Sequence, residues 1–491
     1  MRRLPELTRF SAVFVVLVSL SVIRPPAAAG QCLSGYPAPT LSQPASQNPA
    51  IGILTSPQSP YSGSVAEGKP SLTTLQLSFE EAMNRGLRNN LGTLLQSDEI
   101  LTTRGEKWKE LSSLLPNISA GTSENLQQID LAAMGFRFPG IPTVIGPFGF
   151  FDTRVYLTQN LFDYHQFQRE RGASAEEQAS RSSYKDARDT VVLAVGNAYL
   201  QALAGAARVD TAQAQVTTAQ TLYDRSVDQQ KAGVSPAIDT LRAQVELQSR
   251  QQQLIVAHNN YAKQKLTLAR VIGLPPGQEF ELTDKAPYEP IAVLGLEQSL
   301  QRAYATRPDY QAALQQVRAA ERFRNAASAE HFPTLSFAGN YGDIGLNPGN
   351  SHGTFEVSGT LNIPVFAGGK THSDVLEAEA TLRQRRQQLD NLRGQIDYEV
   401  RTALLDLQAA SDQVQVARSS VDLADQTLAQ ARDRFAAGVT DNLEVVQAQE
   451  IVAQANENYI SSLYAHNLAK VALARAMGFA EDAVRQYLRS K

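Results

Sequence analysis

The sequence predicts a mainly α-helical chain whose few β-strands contribute to a membrane β-barrel. Three observations lead to this prediction: the chain is an internal duplication, each half contains a very long helical pattern, and each half contains strands with one apolar and one polar face. With 491 residues the chain is long enough for more than one domain. Its formal net charge of −4 provides no basic field that would indicate nucleic-acid binding.

Residues 1–30 have the pattern of a secretory signal peptide. Basic residues precede the apolar run Phe10–Ile23, and small residues follow at Ala27–Gly30. The apolar run is shorter than the ~20 residues that a membrane-spanning helix needs. Cys32 is the single cysteine, which excludes an intramolecular disulfide. A lipid anchor on Cys32 is an open alternative, although the preceding Gln31 fits a lipoprotein cleavage site poorly.

The segment after the signal peptide, residues 31–70, is rich in proline, serine and glycine. This composition predicts a poorly ordered lead-in rather than a packed domain. No segment after residue 70 is expected to span a membrane as a helix. Any entry into a membrane is therefore expected to use β-strands, which must satisfy their backbone groups in a closed barrel.

Two alignments of the sequence with itself define the duplication. The segment LSFEEAMNRGLRNN, which begins at Leu77, matches LGLEQSLQRAYATR, which begins at Leu294. Further along, LARVIG at Leu268 matches LARAMG at Leu473. An internal repeat of this kind means that each half is one structural unit with the same order of elements.

The alignments place the first repeat at residues 71–285 and the second at residues 286–481, with a C-terminal tail at residues 482–491. The first repeat carries surplus residues before its second strand. They coincide with the Gly/Pro-rich stretch MGFRFPGIPTVIGPFGF at residues 134–150, which is expected to be a loop.

The longest helical pattern lies in the second repeat. Its apolar residues recur in steps of three and four, which is a coiled-coil seam. They are Leu389, Leu392, Ile396, Val400, Ala403, Leu407, Ala410, Val414, Ala417, Val421, Ala424, Leu428, Ala431 and Phe435. A helix over residues 370–437 would be roughly 100 Å long. On the helices alone, an ordinary soluble coiled coil is an equal alternative.

The first repeat has a looser version of the same seam, within a proline-free stretch from Gly172 to Lys231. Its members are Val195, Ala198, Ala202, Val209, Ala212, Val216 and Tyr223. The matching positions in the two repeats predict that both long helices pack along most of their length.

The predicted strands alternate between apolar and polar residues. In residues 355–363, Phe355, Val357 and Leu361 alternate with polar neighbours, and the partner strand is expected at residues 335–341. In the first repeat Val155 and Leu157 begin a similar pattern. Because about eight strands are the fewest that close a transmembrane barrel, the roughly four strands of one chain predict a barrel shared among several chains.

A Gly-Val pair separates the long helix from the next helix in each repeat. Gly233 and Gly438 stand where a helix commonly ends on a left-handed residue. Ser235 and Thr440 are expected to cap the following helices, with Pro236 in the first helical position. Each pair is therefore predicted to form a tight helical hairpin at the end of the long helices farthest from the strands.

Several motifs resemble the outer-membrane efflux (TolC) family. The segment IPVFAGGKTHSDVLEAEA, Ile363–Ala380, is similar to the family signature at the junction between a strand and the long helix. Ala367 stands where the signature has aspartate, and Lys370 where it has arginine. NLFDYHQ, Asn160–Gln166, is similar to a degenerate first copy of the signature, and the resemblance extends over residues 71–480.

The resemblance implies a homotrimer in which each chain gives four strands to one twelve-stranded outer-membrane barrel, continued by a long α-helical coiled-coil barrel through the periplasm. It implies a passive exit duct for small molecules, such as drugs and metal ions, or for proteins. The expected partners are further copies of the chain, a periplasmic adaptor (membrane fusion) protein, an inner-membrane pump of the RND, ABC or MFS type, and outer-membrane lipid. No nucleic-acid partner is expected.

The family resemblance also assigns roles to the hairpins. Gly233, Val234, Gly438 and Val439 would form the periplasmic tip to which the adaptor docks.

Acidic residues just past each tip resemble the ring that closes the aperture in the family: Glu444, Asp239 and Asp441. Ordinary placement of acids in the first turn of a helix explains the same residues without a gate. Gln447 and Thr440 depart from the family pattern and leave open how a gate would be latched.

No pattern of catalytic residues, metal ligands or cofactor-binding glycines stands out in the sequence, so no enzyme activity and no cofactor are expected. The alternative function is that of a secreted or surface structural protein, a coiled coil or adhesin without a pore. The helices alone suit both functions, whereas the amphipathic strands favour the duct.

Overall fold

The computed structural model describes residues 59–284, 288, 295–440 and 442–482. The predicted signal peptide, most of the lead-in, nearly all of the C-terminal tail and Asp441 lie outside the described residues. The helices are α1 (Phe79–Asn89), α2 (Leu91–Ser112), α3 (Tyr164–Lys231), α4 (Ala237–Ile272), α5 (Leu296–Thr306), α6 (Pro308–Ala329), α7 (Lys370–Ala436) and α8 (Asn442–Ala476). The strands are β1 (Leu75–Leu77), β2 (Asn117–Asp130), β3 (Val144–Phe162), β4 (Phe280–Leu282), β5 (Thr334–Gly345) and β6 (Ser351–Asn362).

The duplication is visible in the order of these elements. In each repeat a short helix is followed by a 22-residue helix, a β-hairpin, a helix of 67 or 68 residues, and a helix of 35 or 36 residues. The predicted mainly α-helical fold with four membrane-type strands is therefore confirmed. The boundary predicted between residues 285 and 286 falls outside the described part of the chain, and β1 pairs in parallel with β4 just before it.

Strands β2, β3, β5 and β6 form an antiparallel sheet in that order. The strand registers place the apolar residues of neighbouring strands side by side, so one face of the sheet is apolar across all four strands. It carries Ile118, Ala120, Val155, Leu157, Phe337, Tyr341, Phe355, Val357 and Leu361. Phe355 is 77% exposed and Val357 is 64% exposed in the single chain. The opposite face is polar, as a watery lumen requires.

The prediction that residues 134–150 form a loop was wrong in part. Residues 144–150 belong to β3, where Val144 pairs with Asp130 and Ile145 pairs with Ile129. Strands β2 and β3 therefore contain 14 and 19 residues, whereas β5 and β6 contain 12 each. Glycine and proline misled the sequence prediction because the ladder to β2 satisfies most backbone groups of this stretch despite them.

The seam predicted for α7 is confirmed. All its members are buried except Leu392 and Val421, which are partly buried. In α3 the agreement is weaker, since Val209, Val216 and Tyr223 are only partly buried. Buried residues there are Ala212, Ala219 and Leu222. An α-helix drifts by about 20° per heptad against a strict seven-residue repeat, so a single seam does not stay on the contact face.

The largest core cluster surrounds the middle of α3. Tyr199 is fully buried, packs edge-on against Phe79 with ring centroids 5.2 Å apart, and donates a hydrogen bond to Asp284 Oδ2 at 2.8 Å. Helix α3 alone among the described helices is long and apolar enough to span a membrane by composition. This corrects the expectation that no later segment would qualify. However, 83% of that apolar window is buried within the chain, which identifies it as a core helix.

Candidate functional site at the helical tips

The first Gly-Val pair ends α3 in a Schellman motif. The Val234 N–H donates to the Gln229 carbonyl at 2.9 Å, and the Gly233 N–H donates to the Gln230 carbonyl at 3.0 Å. Gly233 has φ of +72°, a left-handed conformation that only glycine adopts without strain. The carbonyls of Gln229 and Gln230 near the end of the helix thereby accept hydrogen bonds from the turn's own backbone.

The second pair repeats this geometry at the end of α7. The Val439 N–H donates to the Arg434 carbonyl at 3.0 Å, and the Gly438 N–H donates to the Phe435 carbonyl at 3.1 Å. Gly438 also has φ of +72°. Val234 and Val439 are 77% and 69% exposed, so each tip presents an apolar side chain to solvent. The predicted helix-ending glycines are therefore confirmed in conformation.

The cap predicted after the first tip was wrong. Pro236, rather than Ser235, is the N-cap of α4, and its extended backbone lies outside the helix. The Ser235 hydroxyl instead donates to Asp239 Oδ2 at 2.9 Å, one turn into the helix. Proline can precede the helix in this way because its restricted φ suits both the turn and the first helical position.

Asp239 and Glu444 occupy different environments. Asp239 is 7% exposed, and Arg242 Nη1 lies 3.6 Å from its carboxylate, so its charge faces its own hairpin. The Glu444 side chain is 36% exposed, and Arg434 Nη1 lies 3.3 Å from Glu444 Oε1. Sequence reasoning missed Arg434. The available signal was a basic residue in the last turn before the tip, facing an acid in the first turn after it.

A small apolar cluster lies directly behind the second tip. Its buried members come from three helices and are Leu222 of α3, Leu428, Ala431 and Phe435 of α7, and Val445 and Ala448 of α8. This cluster joins the two hairpins of the chain near their ends. The tips are thus held by packing, whereas the valines at their apices are left free for another surface.

Ion pairs join the hairpins further from the tips. Arg250 of α4 is 3% exposed and contacts Glu246 on its own helix and Glu450 on α8, each at 2.6 Å. Arg208 of α3 makes a bidentate pair with Glu457 of α8 at 2.8 to 3.0 Å. Glu246 and Arg250 have the i,i+4 spacing of a helix pair, but the cross-helix partners carry no sequence signal.

A buried ionic cluster lies at the opposite end of α8. Arg307 is 2% exposed and binds Asp309 at 2.6 Å and Glu399 at 2.7 Å. Burial alone would raise the pKa of Asp309, but hydrogen bonding and charge from Arg307 outweigh it and hold that pKa below its usual value. Nearby, burial raises the pKa of Asp189 to about 6, although the Glu481 N–H bonded to it partly offsets this.

The sequence profile described as outer membrane efflux protein matches residues 112–274 and 299–479. Together these blocks cover more than half of the 491 residues and correspond to the two repeats. The chain belongs to the outer membrane efflux protein family. The proposed resemblance is therefore confirmed.

This efflux protein is 24% identical over 340 residues to the alkaline protease secretion protein AprF of Pseudomonas aeruginosa, covering 67% of this chain and 69% of AprF. It is 28% identical over 328 residues to the outer membrane protein OprJ of the same organism, covering 61% of this chain and 64% of OprJ. The CmeC outer membrane channel of Campylobacter jejuni superposes with a TM-score of 0.69 at 16% identity, covering 84% of this chain and 89% of CmeC.

These relatives confirm the location and the class of function. The efflux protein resides in the outer membrane, extends into the periplasm, and acts as an exit duct for efflux or secretion. The alternative of a pore-free adhesin is not favoured. Within the described residues no cluster of three or more histidine, cysteine, aspartate or glutamate side chains is arranged to hold a metal ion.

Proposed function

We propose that three copies of the chain assemble into one duct, with a twelve-stranded barrel above and a helical tube below. The observation that carries this proposal is the exposed apolar face shared by β2, β3, β5 and β6. Among the described strands β2 pairs only with β3 and β6 only with β5, so both edges have open backbone groups. Such edges are too costly in lipid, and β6 of one copy can pair with β2 of the next.

The assembly is tested by reconstituting the purified chain into planar bilayers. We expect discrete conductance steps from a trimer that resists dissociation by detergent at room temperature. A protein that stays monomeric and soluble without detergent, and never conducts, would refute the duct. No catalytic step is proposed, because in this scheme an inner-membrane pump supplies the energy and the duct is passive.

We infer that the tips dock onto a periplasmic adaptor, which connects the duct to the pump. Support comes from the matched geometry of the two hairpins and from the exposed Val234 and Val439 at their apices. Because each chain has two similar tips, a trimer would offer an adaptor six similar contacts. Gly233 and Gly438 would contribute by fixing the shape of the turn.

Replacing Gly438 by alanine is expected to weaken adaptor binding and export. A non-glycine residue in the left-handed region costs about 1–2 kcal/mol, so the turn should relax and displace Val439. The measurement is co-purification of the adaptor with the duct. Gly394→Ala is the matched control, because Gly394 is an ordinary helical residue of α7 with no neighbour within 4 Å of an added Cβ. Equal adaptor recovery from both variants would contradict the docking role.

We propose further that Glu444 of each copy contributes to a cation-attracting gate near the tips. Its partly exposed carboxylate and its position one turn past Val439 support this assignment. Asp441 is a candidate for the ring from the sequence alone. Asp239 is the weaker candidate because it lies against its own hairpin. Arg434 would partly neutralise the Glu444 carboxylate and so weaken the attraction of cations to the aperture.

Glu444→Gln and Arg434→Gln should change ion selectivity in opposite directions. Removing the carboxylate should lower the preference for cations, and removing its cationic partner should raise that preference. The measurement is the reversal potential across a salt gradient for each reconstituted variant. If both variants kept the wild-type reversal potential, Glu444 would have no role in the gate.

A further inference from the structure

A line of polar side chains crosses the polar face of the sheet near the middle of β5 and β6. Arg154 of β3 contacts Asp152 Oδ1 through its Nε at 2.8 Å and donates from Nη1 to Asn340 Oδ1 of β5 at 3.2 Å. The Asn340 amide in turn donates to Glu356 Oε2 of β6 at 3.4 Å. Three neighbouring strands are therefore joined by one chain of hydrogen bonds on the polar face.

The strand register fixes the level and the orientation of this line. Tyr156, Asn340 and Glu356 stand directly opposite one another on β3, β5 and β6. Asn340 is near the middle of Thr334–Gly345, and Glu356 is near the middle of Ser351–Asn362. All three point away from the face that carries Phe355 and Val357, so in a barrel they line the lumen.

Arg154 lies flat along this wall instead of extending away from it. The residue opposite it on β5 is Gly342, and a Cβ added there would come within 2.8 Å of Arg154 Cγ. The Arg154 and Asp152 side chains are only 18% and 20% exposed, although the sheet face itself is open. Glycine at position 342 thus provides the space in which the guanidinium is held.

The charges along the line are not equally compensated. The Asp152 carboxylate is paired with the Arg154 guanidinium, whereas Glu356 receives a hydrogen bond only from the neutral Asn340 amide among the contacts along this line. Each copy therefore presents one net negative charge at this level, located on β6. The Arg154–Asn340 pair positions the amide that holds the Glu356 carboxylate against the wall.

We propose that Glu356 forms a second cation-selective ring inside the outer-membrane barrel, positioned by Asn340 and Arg154. This inference rests on the trimeric duct proposed above, which brings three copies of Glu356 around one lumen. The ligands are hydrated monovalent cations and cationic groups on exported molecules, and anions are disfavoured. The ring is separated from the tips by the length of α7, about 100 Å, far beyond the ~8 Å screening length at physiological salt. The two rings therefore act independently.

The test measures the reversal potential of full-length trimers in planar bilayers under a potassium chloride gradient. Glu356→Gln is expected to reduce the potassium-to-chloride permeability ratio by about twofold or more, since a fixed charge in a narrow lumen concentrates counter-ions. Arg154→Gln is expected to raise the ratio, because it leaves Asp152 uncompensated. Glu124→Gln is the matched control. Glu124 on β2 pairs with Phe151 on β3, and both residues lie on the opposite face of the sheet, which would meet lipid instead of the lumen.

Measuring the reversal potential at low and at high salt distinguishes an electrostatic effect of the Glu356 ring from a general effect of the substitution on folding. The difference between wild type and Glu356→Gln should disappear near 1 M salt, where the screening length falls to about 3 Å. Conducting channels whose reversal potential is the same for wild type, Glu356→Gln and Arg154→Gln would overturn the second ring and leave the duct intact. Absence of any conductance from the wild-type chain would instead overturn the duct itself, and the ring with it.

Discussion

Arg307→Met is expected to destabilise the folded chain by up to about 3–5 kcal/mol, because it removes the buried cation that pairs with the partly buried carboxylates of Asp309 and Glu399. Arg307 contacts Asp309 and Glu399 directly, and its Nη1 also donates to the Ala476 carbonyl at 3.2 Å. These groups join the start of α6 to the middle of α7 and the end of α8. Arg475 Nη1 lies 3.7 Å from Glu399 Oε2, so this longer ion pair remains when the Arg307 guanidinium is removed.

The measurement is denaturant-induced unfolding in detergent, followed by circular dichroism. Arg401→Met is the matched control, since Arg401 pairs with Asp397 one turn away on the exposed surface of α7. Surface pairs contribute little because water competes for both charges. A loss of stability for Arg307→Met no larger than for Arg401→Met would mean that the cluster relaxes or admits water when its central cation is removed.

The contrast between α7 and this cluster shows what the sequence can predict. The seam from Leu389 to Phe435 follows from local periodicity, so its burial could be read from residue spacing alone. The Gly233 and Gly438 turns could also be predicted, since a helix end is satisfied by its own backbone. Arg307 carries no such local signal toward Glu399, because its partner lies 92 residues away in the chain.

The difference between local patterns and contacts of distant residues also explains why only part of the candidate site was predicted from the sequence. Glu444 was found because the duplication and the family resemblance point to the first turn after the tip. Its partner Arg434 and the cross-helix pair of Arg250 with Glu450 depend on how two hairpins pack against each other. The strand part of residues 134–150 was missed for a related reason. Its residues form β3 only because β2 supplies a ladder for them.

Asp189→Asn is expected to make the chain more stable at neutral pH. Burial raises the pKa of Asp189 to about 6 from 3.8, so ionisation is more costly in the folded chain than in the unfolded chain. Folding stability therefore decreases as pH rises from about 4 to about 6 and stays reduced above that window. A shift of this size corresponds to at most about 3 kcal/mol, which the neutral asparagine would recover. Its Oδ1 can keep the bond from the Glu481 N–H.

The decisive measurement is the unfolding free energy of both proteins between pH 4 and pH 8. The advantage of Asp189→Asn should be largest above pH 6 and vanish near pH 4, where wild-type Asp189 is protonated in the folded state.

Asp186 faces the same site and burial raises its pKa too, so a residual pH dependence of the same sign should persist in the variant. Asp397→Asn is the opposite control, because pairing with Arg401 lowers the pKa of Asp397, so any change in stability should have the opposite sign and should be small for an exposed pair. A variant of Asp189 that is less stable than wild type at pH 8 would show instead that the charge is needed by Arg475 and the rest of the cluster.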